Sequence, residues 1–502
     1  MLKRLGGLSR TALDKTRDLL GNNERRSGGG KSANGTDQRL RKPIVIPPSE
    51  HNVSRDRIGR SALKVLDRLH KSGHAAFLVG GGVRDALVGL KPKDFDVATD
   101  ASPETVRALF KNSRIIGRRF RLVHVVYGRE IIEVATFRAA HSKGSGGEIG
   151  ASGRIVRDNV FGSIEEDAHR RDFSVNALYY NIADNSIVDY VGGLADLEQG
   201  VFRLIGDPQV RCAEDPVRVL RAARLAAKLD FGIDSKTLQA MQASCEELRS
   251  VPPPRLFEEV LKLFQGGYAS KSFSSIREHD LLQYLFPMLD QRLKEGDSSV
   301  FEMLDAALLN TDRRVAQGKP ITPAYLLAFM LWPDVEELAI QECNRGTHIR
   351  DALDLAAESV LSTQLRILSI PRRFSGPMKQ IWQMQPRLEC ARGGKALRLM
   401  EDRRFRAAYD FFVLRSYVDE RLVESANWWT DVQTLPEDQQ ESAAANRPVA
   451  EQIWSLEKGA GQAFDSEHND SQQPTTRKKT AKKRRRRRRR KPGGDKGRSD
   501  MA

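Results

Sequence analysis

Two aspartates one residue apart, Asp94-Phe95-Asp96, carry the most chemical information in the chain. On a strand, alternating side chains put both carboxylates on one face and turn Phe95 toward the core. Neighbouring carboxylates repel unless a cation sits between them. Mg2+ takes one or two carboxylates together with phosphate oxygens and water. The pair therefore points to metal-assisted chemistry on a nucleotide. Two metals roughly 3.5–4 Å apart would suit an in-line phosphoryl displacement, one activating a 3′-hydroxyl and the other steadying a pyrophosphate leaving group. An isolated D-x-D also fits a strand end facing solvent, so the surrounding residues decide.

Asp94 follows by nine residues the turn Leu78-Val79-Gly80-Gly81-Gly82-Val83-Arg84-Asp85. Gly81 and Gly82 would let backbone amides approach a triphosphate, and the next helix would offer its positive N-terminus. Arg84 would add a charged donor. A plain strand-to-helix turn explains the glycines alone, but the two aspartates downstream favour a phosphate cradle. A third carboxylate often completes such a site, and Glu133 and Asp172 are both candidates.

Asp172 sits in Arg170-Arg171-Asp172-Phe173-Ser174-Val175-Asn176-Ala177. This reads either as a solvated helix start or as a segment anchored by Phe173, Val175, Ala177 and Leu178. Anchored, an arginine such as Arg171 can hold phosphate and Asn176 can bond a ribose hydroxyl. In Glu214-Asp215-Pro216-Val217-Arg218, continuing to Arg221 and Arg224, Asp215 is an ideal N-cap before proline. Its arginines could be one wet helix face. Equally, a carboxylate held by Arg218 presents a donor and an acceptor in fixed geometry, suited to reading a base edge without a template. His279-Asp280 reads as a helix-end pair, because no histidine cluster surrounds it.

These residues need positioning elements. Ala62, Val65, Leu66 and Leu69 fall at helical spacing, and Ala75–Val79 reads as the strand entering the glycine turn. Ser102-Pro103 starts a helix with serine as cap. Val123–Tyr127 and Ile131–Phe137 form a hairpin across Gly128-Arg129. The polar, glycine-rich residues 139–153 are a flap or disorder, with disorder favoured. A helix is expected over about 163–178, then a strand from Tyr179 that turns at Asp184-Asn185 and returns to Asp189. From about 208 the pattern is helical, broken at Pro252-Pro253-Pro254.

The chain has 502 residues, 40% of them hydrophobic, enough for two to four domains. Its net charge of +16 is mostly local, since residues 477–498 hold 15 Lys and Arg against Asp495. Lys482, Lys483 and Arg484, Arg485, Arg486, Arg487, Arg488, Arg489 and Arg490 form an unbroken cationic run that binds polyanions with steep salt dependence. Without interleaved aromatics, it favours phosphate contact over base stacking. Four scattered cysteines with no C-x-x-C pair argue against a zinc framework and fit a reduced compartment, and a cytoplasmic protein is expected. The longest apolar run, Ala324–Trp332, is too short to span a bilayer. The N-terminus lacks an apolar signal core, and residues 2–20 read as a mobile arm rather than a surface helix.

LVGGGVRD (78–85), DFD (94–96), RRDFSVNALYY (170–180) and EDPVRVLRAAR (214–224) in this order resemble the class II tRNA nucleotidyltransferase/poly(A) polymerase family, within the polymerase-beta-like superfamily. The resemblance covers about 43–270. Ser174 stands where the family usually has threonine, so the hydroxyl is kept. Ile115–Leu122 and Phe405–Asp410 look like the polymerase branch rather than the CCA-adding branch. The resemblance implies an α+β fold: a polymerase-beta-like nucleotidyltransferase head with a small mixed sheet, followed by helical neck, body and C-terminal domains. The expected division is a disordered arm (1–42), head (43–205), base-recognising neck (206–270), body with an RNA-binding region (271–455) and basic tail (456–502).

It further implies catalysis by Asp94, Asp96 and Asp172, with metal on Asp94 and Asp96. It implies nucleotide contacts from Gly81, Arg84, Arg171, Arg218 and Arg221, with Asp215 in base selection, and it ranks Asp172 above Glu133 as third acid. The implied activity is template-independent addition of AMP from ATP to RNA 3′ ends, with Mg2+ and release of pyrophosphate, feeding decay of mRNA and other intermediates. RNA-decay proteins are candidate partners and a monomer is expected. CCA addition to tRNA and an RNA-binding scaffold with an inactive head are the alternatives.

Overall fold

The computed structural model describes residues 42–117, 121–139, 148–149, 155–157 and 160–447. Its strands are β1 (Ile44–Ile46), β2 (Ala76–Val79), β3 (Asp96–Thr99), β4 (Ser113–Ile116), β5 (Leu122–Tyr127), β6 (Glu130–Thr136), β7 (Glu148–Ile149), β8 (Ile155–Arg157), β9 (Leu178–Asn181), β10 (Ile187–Asp189), β11 (Val201–Phe202) and β12 (Gly232–Ile233). Eight of them form one mixed sheet in the order β1-β10-β9-β2-β3-β6-β5-β4. β3 and β6 run parallel, and every other pair in that sheet is antiparallel. A parallel pair needs a crossover. Here it contains the Pro103–Leu109 helix, which starts where Ser102 accepts from the Thr105 amide.

The sheet buries both faces. On one side Leu78, Val97, Val123, Ile132 and Val134 join the main core. They share it with Ala62, Val65, Leu66 and Leu69, the buried stripe of the Arg60–Lys71 helix. On the other side Val79, Ala98, Phe137, Ala177 and Tyr179 form a smaller cluster, the floor on which the chemistry sits. The β5–β6 hairpin turns through Gly128 at φ 61°, and β9–β10 turns through Asn185 at φ 58°. Both turns fall where the sequence places them.

Between Ile164 and Leu178 the chain departs from expectation. The helix covers only Ile164–Arg170, opened by a capping box between Ser163 and Glu166. Arg171 is already extended at ψ 164°. Beyond it the backbone pairs sideways: Phe173 bridges Leu204, the Ser174 amide donates to Arg203 O, and the Ile205 amide donates to Asp172 O. Ser174–Asn176 makes one short 3-10 turn, and every residue from Phe173 to Leu178 is buried, whereas an amphipathic helix would bury a single stripe. Phe173 meets Phe202 edge-on at 5.6 Å. Within residues 139–153 the described pair Glu148–Ile149 forms β7, which pairs with β8, and residues 140–147 and 150–153 lie outside the described residues.

The neck and body are helical, except that β12 pairs in parallel with β11. One apolar core runs from Ile46 through the neck to Leu414, and a second cluster spans Met384–Ala444. The Pro253–Phe264 helix begins at the proline break. The apolar run lies inside the Pro323–Asn344 helix, where Ala324 and Leu326–Trp332 are buried. Among the described residues no helix is long and apolar enough to cross a membrane. His279 caps the Ala269–Glu278 helix and Asp280 follows at φ 54°, a helix end as expected. Residues 1–41 and the arginine run Arg484–Arg490 lie outside the described residues.

Candidate active site

β2 delivers the chain into Gly80 at φ 78° and ψ −145°, a conformation open to glycine. The Gly81–Leu87 helix follows. A Cβ on Gly80 would meet Asp96 Oδ2 at 3.5 Å and Arg171 Nη1 at 3.8 Å, so the turn faces both groups. A Cβ on Gly82 would stand 2.9 Å from the Asp94 carbonyl oxygen, so glycine here lets the helix pack against the chain entering β3.

Asp94 precedes β3 instead of lying on it, and its side chain is exposed. Phe95 packs toward the main core, as the alternation requires. Asp96 opens β3 half-buried, directly opposite Val79 on β2 and Glu133 on β6. Burial pushes the Asp96 carboxyl up to about 6, with Glu133 and Asp94 adding to the rise and Arg171 opposing it. Glu133 in turn faces His124 on β5, whose Nε2 lies 3.2 Å from Glu133 Oε1. Paired residues share a sheet face, so Asp96, Glu133 and His124 form one row.

Asp172 lies differently. Its Oδ2 pairs with Arg221 Nη2 at 2.5 Å, while Oδ1 accepts from the Phe173 amide at 2.9 Å and Asn176 Nδ2 at 3.2 Å. Although burial opposes ionisation, Arg221, Asn176 and the Phe173 amide hold its carboxyl down at about 2. The acid beside Asp96 is therefore Glu133, and Asp172 is the counter-ion of the neck. The β3–β6 register thus sets Glu133 next to Asp96, while Asp172 faces Arg221.

Arg171 is a cation that acts directly on Asp96. Asp167 accepts from its Nε and Nη2 at 3.1 and 2.9 Å, and Tyr179 Oη accepts from Nε at 3.0 Å. Tyr179 Oη then donates to Asp167 at 2.8 Å. This brace leaves Nη1 aimed at the glycine turn. A cleft of about 260 Å³ opens there, lined by Asp96, Glu133, Arg138, Arg171 and Phe161.

Three expected contacts take other partners. Arg84 is 3% exposed and lies beneath the turn, donating to Asp85 Oδ1 and, at 2.6 Å, to Asn176 Oδ1. It organises the site from below, since its donors point into the protein. Asp215 pairs with Arg255 at 2.6 Å, while Arg218 turns to Glu214 at 3.2 Å. The N-cap position of the Val217–Leu229 helix is Pro216, one residue after Asp215. Sequence reasoning missed His124, Tyr179, Arg255 and Arg211. Arg211 reaches 2.6 and 2.8 Å to the Arg170 and Arg171 carbonyls, at the negative end of the Ile164–Arg170 helix. Long-range packing brings in Arg211 and Arg255, whereas His124 follows from the hairpin register opposite Glu133 and Tyr179 from the chain turning back on Arg171.

Among the described residues no three His, Cys, Asp or Glu side chains are arranged to hold a metal by themselves. The residues nevertheless fit Mg2+, which completes its shell with phosphate and water. Burial first, then Glu133 and Asp94, disfavour charge on the Asp96 carboxyl, and a divalent ion would offset that cost.

A mixed-sheet head with a glycine turn, paired acids and a helical neck is the build of a nucleotidyltransferase. Comparison with known proteins narrows this. Residues 76–203 match the family described as "Poly A polymerase head domain", 230–293 "Probable RNA and SrmB- binding site of polymerase A", and 345–492 "Polymerase A arginine-rich C-terminus". Poly(A) polymerase I of Salmonella typhimurium is 47% identical over 397 residues, covering 78% of this chain and 85% of that one. Its Escherichia coli O157:H7 counterpart is 47% identical over 404 residues, covering 79% and 87%. A CCA-adding enzyme of Bacillus velezensis is 35% identical over 248 residues, covering 49% and 61%. A solved tRNA-processing enzyme shares the fold, with TM-score 0.52, 20% identity and 78% and 98% coverage. The chain belongs to the bacterial poly(A) polymerase family, and it is a nucleotidyltransferase.

Proposed function

We propose that this enzyme joins AMP from ATP to RNA 3′ ends without a template, and that it does so at Asp94, Asp96 and Glu133. The RNA 3′-oxygen attacks the α-phosphorus, the bond to the β-phosphate oxygen breaks, and pyrophosphate leaves. Asp94, Asp96 and Glu133 would hold Mg2+, which when bound neutralises phosphate charge and favours ionisation of the hydroxyl. His124 holds Glu133 in place. Gly81 and Gly82 admit the triphosphate to the turn, and Arg171 Nη1 meets its charge. Asp172 keeps Arg221 and Asn176 set for the ribose and base, while Arg218 and the Asp215–Arg255 pair line the base side of the neck. Arg84 fixes Asn176.

The Asp96–Glu133 pairing across β3 and β6, opening on Gly80 and Arg171, carries this reading. The helical region and the run Arg484–Arg490 would hold RNA near the head and raise its effective concentration. A bacterial cytoplasmic setting and delivery of tailed RNA to decay enzymes follow from the same chemistry.

The deciding assay offers purified protein a generic RNA with ATP alone or CTP alone. Long adenylate tails support the proposal. CMP on trimmed tRNA supports CCA addition, and no incorporation supports an RNA-binding scaffold. Asp94→Ala should abolish addition while RNA binding persists, and full activity in that variant refutes the assignment.

A further inference from the structure

The Val217–Leu229 helix of the neck grips the head through two cations. Arg221 pairs with Asp172 at 2.5 Å, and Lys228 pairs with Asp85 at 2.7 Å. Seven residues apart, they lie two turns along the same helix face. Between these anchors the head supplies an unbroken line of side-chain bonds. Asp85 Oδ1 accepts from Arg84 Nε at 2.9 Å, Arg84 Nη1 donates to Asn176 Oδ1 at 2.6 Å, and Asn176 Nδ2 donates to Asp172 Oδ1 at 3.2 Å. The three middle members, Arg84, Asp85 and Asn176, are buried. The line runs under the glycine turn, through the segment that carries Arg171, and back to the helix it started from.

We propose that Lys228 and Asp85 are a positioning pair that fixes the tilt of the neck helix over the glycine turn and thereby sets nucleotide selectivity. A helix held at two points cannot rock. Without the Lys228–Asp85 pair the helix, still packed in the shared core and pinned at Arg221, shifts its tilt, and the groups near its N-terminal end move relative to the phosphate turn. Misplacement on the order of 1 Å costs an enzyme up to about a hundredfold. Base reading and phosphate binding are thus coupled through Arg84 and Asn176, with Lys228 as the remote end of the coupling. This rests on the nucleotide-binding roles proposed above for Arg221 and Asp215.

Lys228→Met tests it in the full chain. Asp85 keeps Arg84 as counter-ion, so no buried charge is stranded and the variant should fold. Initial rates on an oligoadenylate primer would give KM and kcat for ATP, and kcat/KM for CTP. The expected result is a rise of about tenfold in KM for ATP, a change in kcat of less than about threefold, and a fall of about tenfold in the ATP-to-CTP preference. Lys228→Arg should recover most of the preference. A preference within about twofold of wild type, or a loss confined to kcat, overturns the proposal. If Lys228→Met does not fold, Lys228→Gln carries the test, because it leaves the buried Arg84–Asp85 pair intact and removes the charge facing Asp85. It should shift the preference the same way, and an unchanged preference overturns the proposal. Failure of the wild type to add AMP at all would instead refute the underlying nucleotide assignment.

Discussion

Asp96→Asn removes a charge and almost no volume, so it isolates the electrostatics of the site. Burial first, then Glu133 and Asp94, lift the Asp96 carboxyl from 3.8 to about 6, with Arg171 pulling the other way. That displacement corresponds to roughly 3 kcal/mol of disfavoured charge. Asp96 is only half-buried, so solvent screening reduces the figure to roughly 1–2 kcal/mol. Between pH values of about 4 and 6 the folded chain holds the proton more tightly than the unfolded chain. Stability therefore falls as pH rises through that window, and the full cost is present above it. In EDTA, Asp96→Asn should melt above wild type at pH 8, by about 2–4 °C per kcal/mol at most, and should match it near pH 3.5. Mg2+ should raise the wild-type melting temperature at pH 8, less at pH 5 where protons compete, and leave Asp96→Asn unmoved. Differential scanning calorimetry across pH and Mg2+ reads all of these. Identical melting of the two proteins from pH 4 to 8, or equal Mg2+ stabilisation of both, would refute the reasoning.

Glu133→Gln should lower kcat by about a hundredfold, and His124→Ala, which only loosens Glu133, by about tenfold; steady-state rates in the opposite order would contradict the row across β3, β6 and β5. Gly82→Ala should cut AMP incorporation at least about tenfold, since its Cβ would press on the Asp94 carbonyl at 2.9 Å. Gly394→Ala, where a Cβ meets nothing, should not change the rate. Removing residues 477–502 should weaken RNA binding most at low salt and flatten the dependence of log Kd on log salt, and a filter-binding series that keeps the full slope would assign the arginine run another task.

The order of motifs, the hairpin at Gly128, the Ser102 cap and the helical stripe Ala62-Val65-Leu66-Leu69 were readable in the chain because each is local. They rest on backbone preferences or on side chains within a few positions of one another. The 163–178 segment was misread because helix-compatible residues there answer to Leu204 and Phe202, partners that no local period announces.

The linear sequence determined which groups the chemistry has available: Asp94 and Asp96 after a glycine turn, an arginine-aspartate segment, and a neck helix with cations at intervals. Tertiary structure alone decided their pairing. The β3–β6 register chose Glu133 as neighbour of Asp96, packing turned Arg84 under the turn, and the neck took Asp172 for Arg221 and Asp85 for Lys228. Spacing along a chain sets which face a residue occupies. Which charge it meets depends on distant segments brought within a few ångströms by burial of the shared core.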